Sequence, residues 1–280
     1  MKLPLNITIA IPIKNEAALL QGCLDAIGGD FAEKIIILDS GSTDGSLEIA
    51  KNNNIEVLHF KWNGQFPKKR NWFLQNYRPA TKWVLFLDAD EYLSDSFKAE
   101  VRSKIDNENL VGFWLSYTRY FLGKKLKGGY PLRKLALFRV GAGEYERIEE
   151  NNWSTLDMEI HEHPVLLGAI GVIKSEIDHL DFRGISHYVI KHNEYASWEA
   201  ERIIKTASDS TVKKSWTWKQ KIKYKLLLSP FIGPVYFLGN YFLLGGIRDG
   251  ARGLTFSILK ASYFTQVYCK IKESQLTEKH

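Results

Sequence analysis

The chain has 280 residues, enough for one substantial core with an appendage and too few for several independent enzymes; with 45% hydrophobic and 25% charged residues it is composed as a folded protein, not a disordered one. Its two cysteines, Cys23 and Cys269, stand far apart and outside any C-x-x-C spacing, which excludes a disulfide framework or a cysteine-built metal centre and points to a reducing compartment. The net charge of +6 is uneven, because residues 202–225 hold eight Lys or Arg against the single acid Asp209, which makes a basic patch.

Residues 7–13 read as a first strand, and no cationic leader with an apolar core precedes it, so the protein is expected to stay on the cytoplasmic side. Residues 17–27, with Ala17, Leu20, Leu24 and Ile27 at helical spacing, predict a helix. A strand over 34–39 is apolar until Asp39. Ser40-Gly-Ser-Thr-Asp-Gly-Ser46 then supplies turn residues and a cap for a helix over 47–52. A strand at 56–60, a helix at 66–77 and a strand at 83–87 follow, the last running into Asp88-Ala-Asp-Glu91. This alternation predicts an α/β domain with parallel strands and crossover helices. After a helix ending near Ile105, the runs 111–122 and 132–140 predict an antiparallel extension of the sheet, and a helix is expected over 185–207.

In open α/β sheets ligands sit at the carboxyl ends of the strands. Here those ends carry Pro12 to Glu16, Asp39 to Asp44, and Asp88 with Asp90. Acids gathered in one crevice repel unless a cation, or donors on a ligand, balance them. Two aspartates flanking a small alanine offer hard oxygen ligands suited to Mg²⁺ or Mn²⁺ bound together with a phosphorylated ligand.

Ile11-Pro-Ile-Lys-Asn-Glu16, Leu38-Asp-Ser-Gly-Ser-Thr-Asp-Gly-Ser46, Lys68-Lys-Arg-Asn71 and Trp83-Val-Leu-Phe-Leu-Asp-Ala-Asp-Glu91 occur in that order over most of the first hundred residues. The chain thereby resembles family 2 glycosyltransferases of the GT-A fold, a Rossmann-like mixed sheet flanked by helices. Gly129-Tyr-Pro131, Met158-Glu-Ile-His-Glu-His163 and Leu180-Asp-Phe-Arg183 resemble the subgroup containing lipopolysaccharide-core β-1,4-glucosyltransferases. The resemblance implies that Pro12 and Glu16 border the nucleoside of a nucleotide-sugar donor and that Asp39 pairs with its base, usually uracil. It implies further that Lys68, Arg70 and Asn71 lie near the donor phosphates and sugar, with Asp88 near the ribose. Asp90 and Asp88 then belong to the metal site, which His179 completes. An inverting transfer needs a carboxylate that takes the acceptor hydroxyl's proton. By resemblance this base is Glu162, with Glu159 second; the Asp-Asp or Glu-Asp pair that marks it in many members is not evident here.

Blander roles suit some of these residues. Asp39 and Asp44 also fit helix caps, and Lys68, Lys69 and Arg70 the solvated face of a helix. Trp62, Trp72, Trp83 and Trp114 read as packing residues. His161, His163 and Glu162 lack the HExxH spacing or cysteines of a zinc site.

The main boundary is expected near 207: a catalytic domain over 1–207, then a basic, aromatic and apolar helical region over 208–280 that associates with membrane. Residues 226–247 carry no charge, but Pro230, Gly233, Pro234, Gly239, Gly245 and Gly246 break them, so a monotopic or re-entrant anchor is expected in place of a straight span. Packing of this segment on the domain is the alternative. Trp216, Trp218 and Tyr224 within the basic stretch suit the headgroup zone of an anionic leaflet. No nucleic-acid-binding signature accompanies the basic run. The resulting expectation is a metal-dependent, inverting hexosyltransferase at the cytoplasmic face of the inner membrane. It would use a UDP-hexose donor and a glycan or lipid-linked acceptor in cell-envelope polysaccharide or lipopolysaccharide biosynthesis. A sugar-nucleotide- or glycan-binding pseudoenzyme and a D-x-D phosphohydrolase are the alternatives.

Overall fold

An almost unbroken run of buried aliphatic residues forms β1 (Leu5–Ile13), as expected for a strand covered on both faces. α1 (Ala17–Ile27) lays Leu20, Cys23, Leu24 and Ile27 on the sheet, and β2 (Ala32–Asp39) ends in four buried residues, the last of them Asp39. α2 (Ser46–Asn52), β3 (Glu56–His59), α3 (Lys69–Asn76), β4 (Trp83–Phe86), β5 (Glu91–Tyr92), α4 (Asp95–Lys104) and β6 (Leu110–Tyr117) follow. The expected helix over 66–77 begins only at Lys69, since Pro67 favours extended backbone before it. The structure is a computed structural model and describes residues 3–148, 156–157, 159, 163–180, 183–208 and 218–277.

These described residues fall into two compact units, Met1–Arg119 with Pro131–Leu180, and Tyr120–Tyr130 with Asp181–His280. In the second, β7 (Tyr120–Phe121) and β8 (Lys124–Lys125) make a hairpin. The first continues with β9 (Leu132–Arg139), β10 (Gly143–Tyr145), β11 (Pro164–Leu166) and β12 (Ala169–His179). Its main sheet has eight strands in the order β3-β2-β1-β4-β9-β6-β12-β5.

The expected antiparallel extension is present: β9 runs antiparallel to both β4 and β6, while β12 lies parallel to β6. The carboxyl ends of β1, β2, β3, β4, β6 and β12 therefore share one edge of the sheet with the beginning of β9. Pro12 sits beyond the β1–β4 ladder, which ends at Ala10 and Phe86, so its missing N–H interrupts no bond on that side. Ile9, Leu20, Phe31, Phe97 and Phe113 belong to one large buried cluster, and Phe73, Phe86 and Phe138 to another. Each such side chain stabilises the fold by about 1.5–3 kcal/mol relative to exposure.

The second unit has four described helices: α5 (Gly184–Ser208), α6 (Trp218–Leu227), α7 (Ile232–Leu238) and α8 (Gly250–Thr277). Ala196, Ala200 and Ile203 of α5 form a core with Tyr263, Val267 and Ile271 of α8. This packing puts the helix over 184–208 with the C-terminal unit, whereas the sequence boundary at 207 assigned it to the first domain. The uncharged run 226–247 is divided into short pieces: the end of α6, α7, a π-helical turn (Gly239–Leu243) and the start of a 3₁₀ turn (Gly246–Asp249). No helix among the described residues is long and apolar enough to cross a membrane.

Candidate active site

The β1–α1 and β2–α2 loops are tied together by side chain to backbone hydrogen bonds. The Asn15 amide donates to Ser42 Oγ at 2.9 Å, the Thr43 amide to Asn15 Oδ1 at 2.8 Å, and the Glu16 amide to Ser46 Oγ at 2.9 Å. Asp44 serves as a cap: it accepts from the Ser46 amide at the start of α2 and from the Ala17 amide at the start of α1, both at 3.0 Å. Asp39 does not cap the following helix. Buried at the end of β2, it closes its own turn by accepting the Gly41 and Ser42 amides at 3.0 Å, with His59 Nδ1 at 3.3 Å. Burial alone would raise its pKa, but Ser42, Gly41 and His59 outweigh burial and hold the carboxyl below its ordinary value.

Lys68, Lys69, Arg70 and Asn71 are all buried, so the solvated-face role does not apply to them. The start of their helix is held by an acid elsewhere in the chain. Lys68, at the N-cap of α3, makes no side-chain capping bond, and both carboxylate oxygens of Glu159 accept the Arg70 and Asn71 amides at 3.0 Å instead. Asn71 spends its side-chain amide on backbone, donating to the Tyr145 carbonyl at 3.0 Å and accepting the Tyr145 amide at 2.9 Å. Lys69 Nζ donates to the Ile13 carbonyl at 3.2 Å and lies 3.3 Å from Asp157. Burial lowers its pKa, partly offset by Asp157.

Arg70 reaches the end of β4, its Nη2 donating to Asp88 Oδ1 at 2.9 Å while Nη1 donates to the Glu159 carbonyl at 2.9 Å. The second oxygen of Asp88 accepts from Lys134 Nζ at 2.7 Å, and Lys134 also pairs with Glu91. Burial pushes Asp88 up, but Lys134 and Arg70 pull it well below the carboxylate range. Glu91 moves the other way: burial raises its pKa against the pull of Lys134. Asp88 is thus balanced by two side-chain cations.

The possible metal ligands are Asp90, Glu91 and His179, whose ligand atoms lie within 4.8 Å of one another; Asp88 is not in this group. β12 pairs antiparallel with β5, setting His179 opposite Glu91, and the Leu180 amide donates to the Asp90 carbonyl at 2.8 Å. His179 Nε2 consequently stands 3.3 Å from Asp90 Oδ2. Burial would lower the histidine's pKa, but the Asp90 hydrogen bond and charge raise it above the ordinary value. Two carboxylates and an imidazole, clustered and largely buried, fit a divalent ion such as Mg²⁺ or Mn²⁺.

Of the sequence-predicted residues, the structure brings together Asp88, Asp90, Arg70 and His179, with Asp39 at the end of β2 and Lys68 at the start of α3, while the Asn71 side chain is committed to the backbone of Tyr145. Pro12 and Glu16 flank the strand-end edge on the β1–α1 side. Glu162 lies outside the described residues. Lys134 and Glu91 were missed as site residues. The available signal was a cation directly preceding the apolar stretch Leu135-Ala-Leu-Phe138, and an acid directly following D-x-D.

The Glycosyl transferase family 2 model matches residues 8–157. The chain is 27% identical to the lipopolysaccharide core biosynthesis glycosyltransferase LpsC of Rhizobium meliloti, over 96% of this chain and 92% of that protein. It is 25% identical to an uncharacterized glycosyltransferase of Rickettsia felis, over 71% of each. Among solved structures it is similar to glucosyl-3-phosphoglycerate synthase from Mycobacterium tuberculosis in complex with Mn²⁺, UDP and glucosyl-3-phosphoglycerate. That similarity has 21% identity and a TM-score of 0.31, and it covers 38% of this chain and 42% of that one.

Proposed function

The chain belongs to glycosyl transferase family 2, and from that premise we propose that it moves a hexose, with inversion, from a UDP-sugar to a glycan or lipid-linked acceptor in cell-envelope polysaccharide or lipopolysaccharide assembly. The near full-length similarity to LpsC supports the pathway. The observation that carries the donor reading is the juxtaposition of Asp90 and His179 at 3.3 Å beside the Arg70–Asp88–Lys134 ion pairs.

Asp39, with two of its roughly four lone-pair sites taken by its own turn and a third facing His59, retains acceptor capacity for a base N–H. Asp90, Glu91 and His179 would hold the divalent ion, which when bound supplies Lewis-acid stabilisation to the departing diphosphate. Arg70, Lys134 and Lys68 add fixed positive charge where the leaving group gains negative charge. Glu162 takes the acceptor hydroxyl's proton. This assignment is favoured over Glu159 because both oxygens of Glu159 already hold the start of α3.

We place the enzyme at the cytoplasmic face of the inner membrane, held through the C-terminal unit. Exposed Trp218, Phe231 and Leu243 support this, as does the basic composition of 202–225. A panel of nucleotide sugars assayed with Mn²⁺ should show metal-dependent release of UDP from one UDP-hexose; release unaffected by chelation would remove the metal from the reading. Glu162→Gln should keep donor affinity and lose transfer by roughly 10²-fold or more, and a near-normal rate would move the base elsewhere.

A further inference from the structure

The second unit holds a cationic cavity that the transfer chemistry does not use. The β7–β8 hairpin is anchored on the segment preceding α8. The Lys127 and Gly128 amides donate to the Asp249 carboxylate at 2.9–3.0 Å, and the Gly129 amide donates to the Leu244 carbonyl at 2.7 Å. Gly128 lies so close to the backbone of Gly245 that a Cβ would collide with the Gly245 carbonyl. The Phe121 ring, 5.3 Å from Phe256, fixes the other leg.

This junction gathers Lys124, Lys125, Lys127, Arg248 and Arg252 around a cavity of about 220 Å³, in which Asp249 is the one acid among the lining residues. Asp249 is occupied by the amides of the hairpin. Lys124, Lys127, Arg248 and Arg252 form no ion pair among the described residues. Lys124, Lys125, Lys127 and Arg248 are exposed and Arg252 is half-buried, so the cluster faces solvent, and a multivalent oxyanion can engage the lysine ammonium groups and the arginine forks together.

Apolar side chains accompany the cations along the chain. Leu122, at the hairpin tip, has φ of 47° and is 57% exposed. A leucine gains nothing from this left-handed conformation, which Gly, Asn or Asp would take more easily. Leu243 is 85% exposed, and Phe242, Leu244 and Ile247 are exposed as well. In water these positions are unfavourable; at a bilayer surface they gain an apolar phase while the neighbouring cations meet headgroups.

We infer that the cavity binds a phosphate group carried by an anionic membrane lipid. The inference rests on the membrane-face reading above and adds a specific phosphate subsite outside the basic stretch 202–225.

The test uses the full chain and co-sedimentation with phosphatidylcholine vesicles, with or without phosphatidylglycerol. Binding should require phosphatidylglycerol and fall by roughly tenfold or more in Lys124→Glu/Arg248→Glu. Lys270→Glu/Lys272→Glu, an equal charge change near the other end of α8, should cost less than about threefold. Equal losses in the two double variants, or undiminished binding in the first, would overturn the site. Inorganic pyrophosphate should displace the vesicles only weakly; displacement at micromolar concentration would assign the cavity to a soluble anion and overturn the lipid source. Thermal melting and Mn²⁺-dependent UDP release should be unchanged in both variants. If the wild type released no UDP yet bound the vesicles as described, the donor reading would fail and the lipid subsite would stand.

Discussion

Lys134 is the residue on which the ionised state of the site turns. With Arg70 it holds Asp88 charged, and it alone of the two reaches Glu91. Lys134→Met should leave the buried Glu91 and half-buried Asp88 carboxylates facing each other with one cation, and lower stability by about 1–3 kcal/mol, read from denaturant unfolding. Asp90→Ala should behave differently. Thermal melting should stay near wild type, because the Asp88 ion pairs remain, while metal-dependent UDP release should disappear. Sequence reasoning found both D-x-D acids because a strand-end acid pair is a local pattern. It overlooked Lys134 because the partner of a strand lysine is set by strand order, and nothing local in residues 132–139 shows that β9 runs beside β4.

Among the elements, α4 and β12 show how an irregular strand is tolerated. β12 carries extra residues against β6 between Ile173 and Glu176, so Lys174 and Ser175 have no partners in that ladder. Their amides donate to the Glu100 carboxylate at 2.7–3.1 Å, and Lys104 pairs with the same group. Burial opposes ionisation, but Lys104 and the two amides lower the Glu100 pKa from 4.5 to about 2. Because the folded value is depressed, the stabilisation is fully present above the unfolded value and is lost as pH falls from about 4.5 through about 2. Glu100→Gln should lower stability near neutrality by about 2 kcal/mol and flatten the acid limb of the stability curve, measured by unfolding between pH 6 and about 2. Glu159→Ala should cost about 1–2 kcal/mol through the uncapped α3, visible in melting even where no acceptor is supplied. The elements of the first 140 residues were largely legible: α1 occupies the predicted 17–27, and five predicted strands agree with β1, β2, β3, β4 and β9 to within two residues, whereas β12 (Ala169–His179) was not predicted. Periodicity and turn residues are local signals, whereas the capping of α3 by Glu159 depends on a residue far along the chain and leaves no trace near residues 68–71.

For the molecule as a whole, ligand linkage offers a further check. Mn²⁺ at about 100 times its dissociation constant should stabilise the wild type by about 2.7 kcal/mol, and Asp90→Ala should show no such gain. The division into units was less legible than the sheet. Composition shifts near residue 207, but the buried face of α5 belongs with α8, and the hairpin Tyr120–Tyr130 joins the C-terminal unit although it interrupts the first unit's sequence. A boundary drawn from composition follows chain order and cannot register an insertion that packs with residues more than a hundred positions later.

The placement of β5 has a consequence for biosynthesis. Among the described residues its partner in the main sheet is β12, which emerges from the ribosome long after the D-x-D acids. A nascent chain halted before residue 164 holds Asp88 and Asp90 but lacks the strand that brings His179 beside them, so long-range closure, slow by its nature, comes last. The Asp90–Glu91–His179 cluster is thereby completed only once most of the polypeptide has been made.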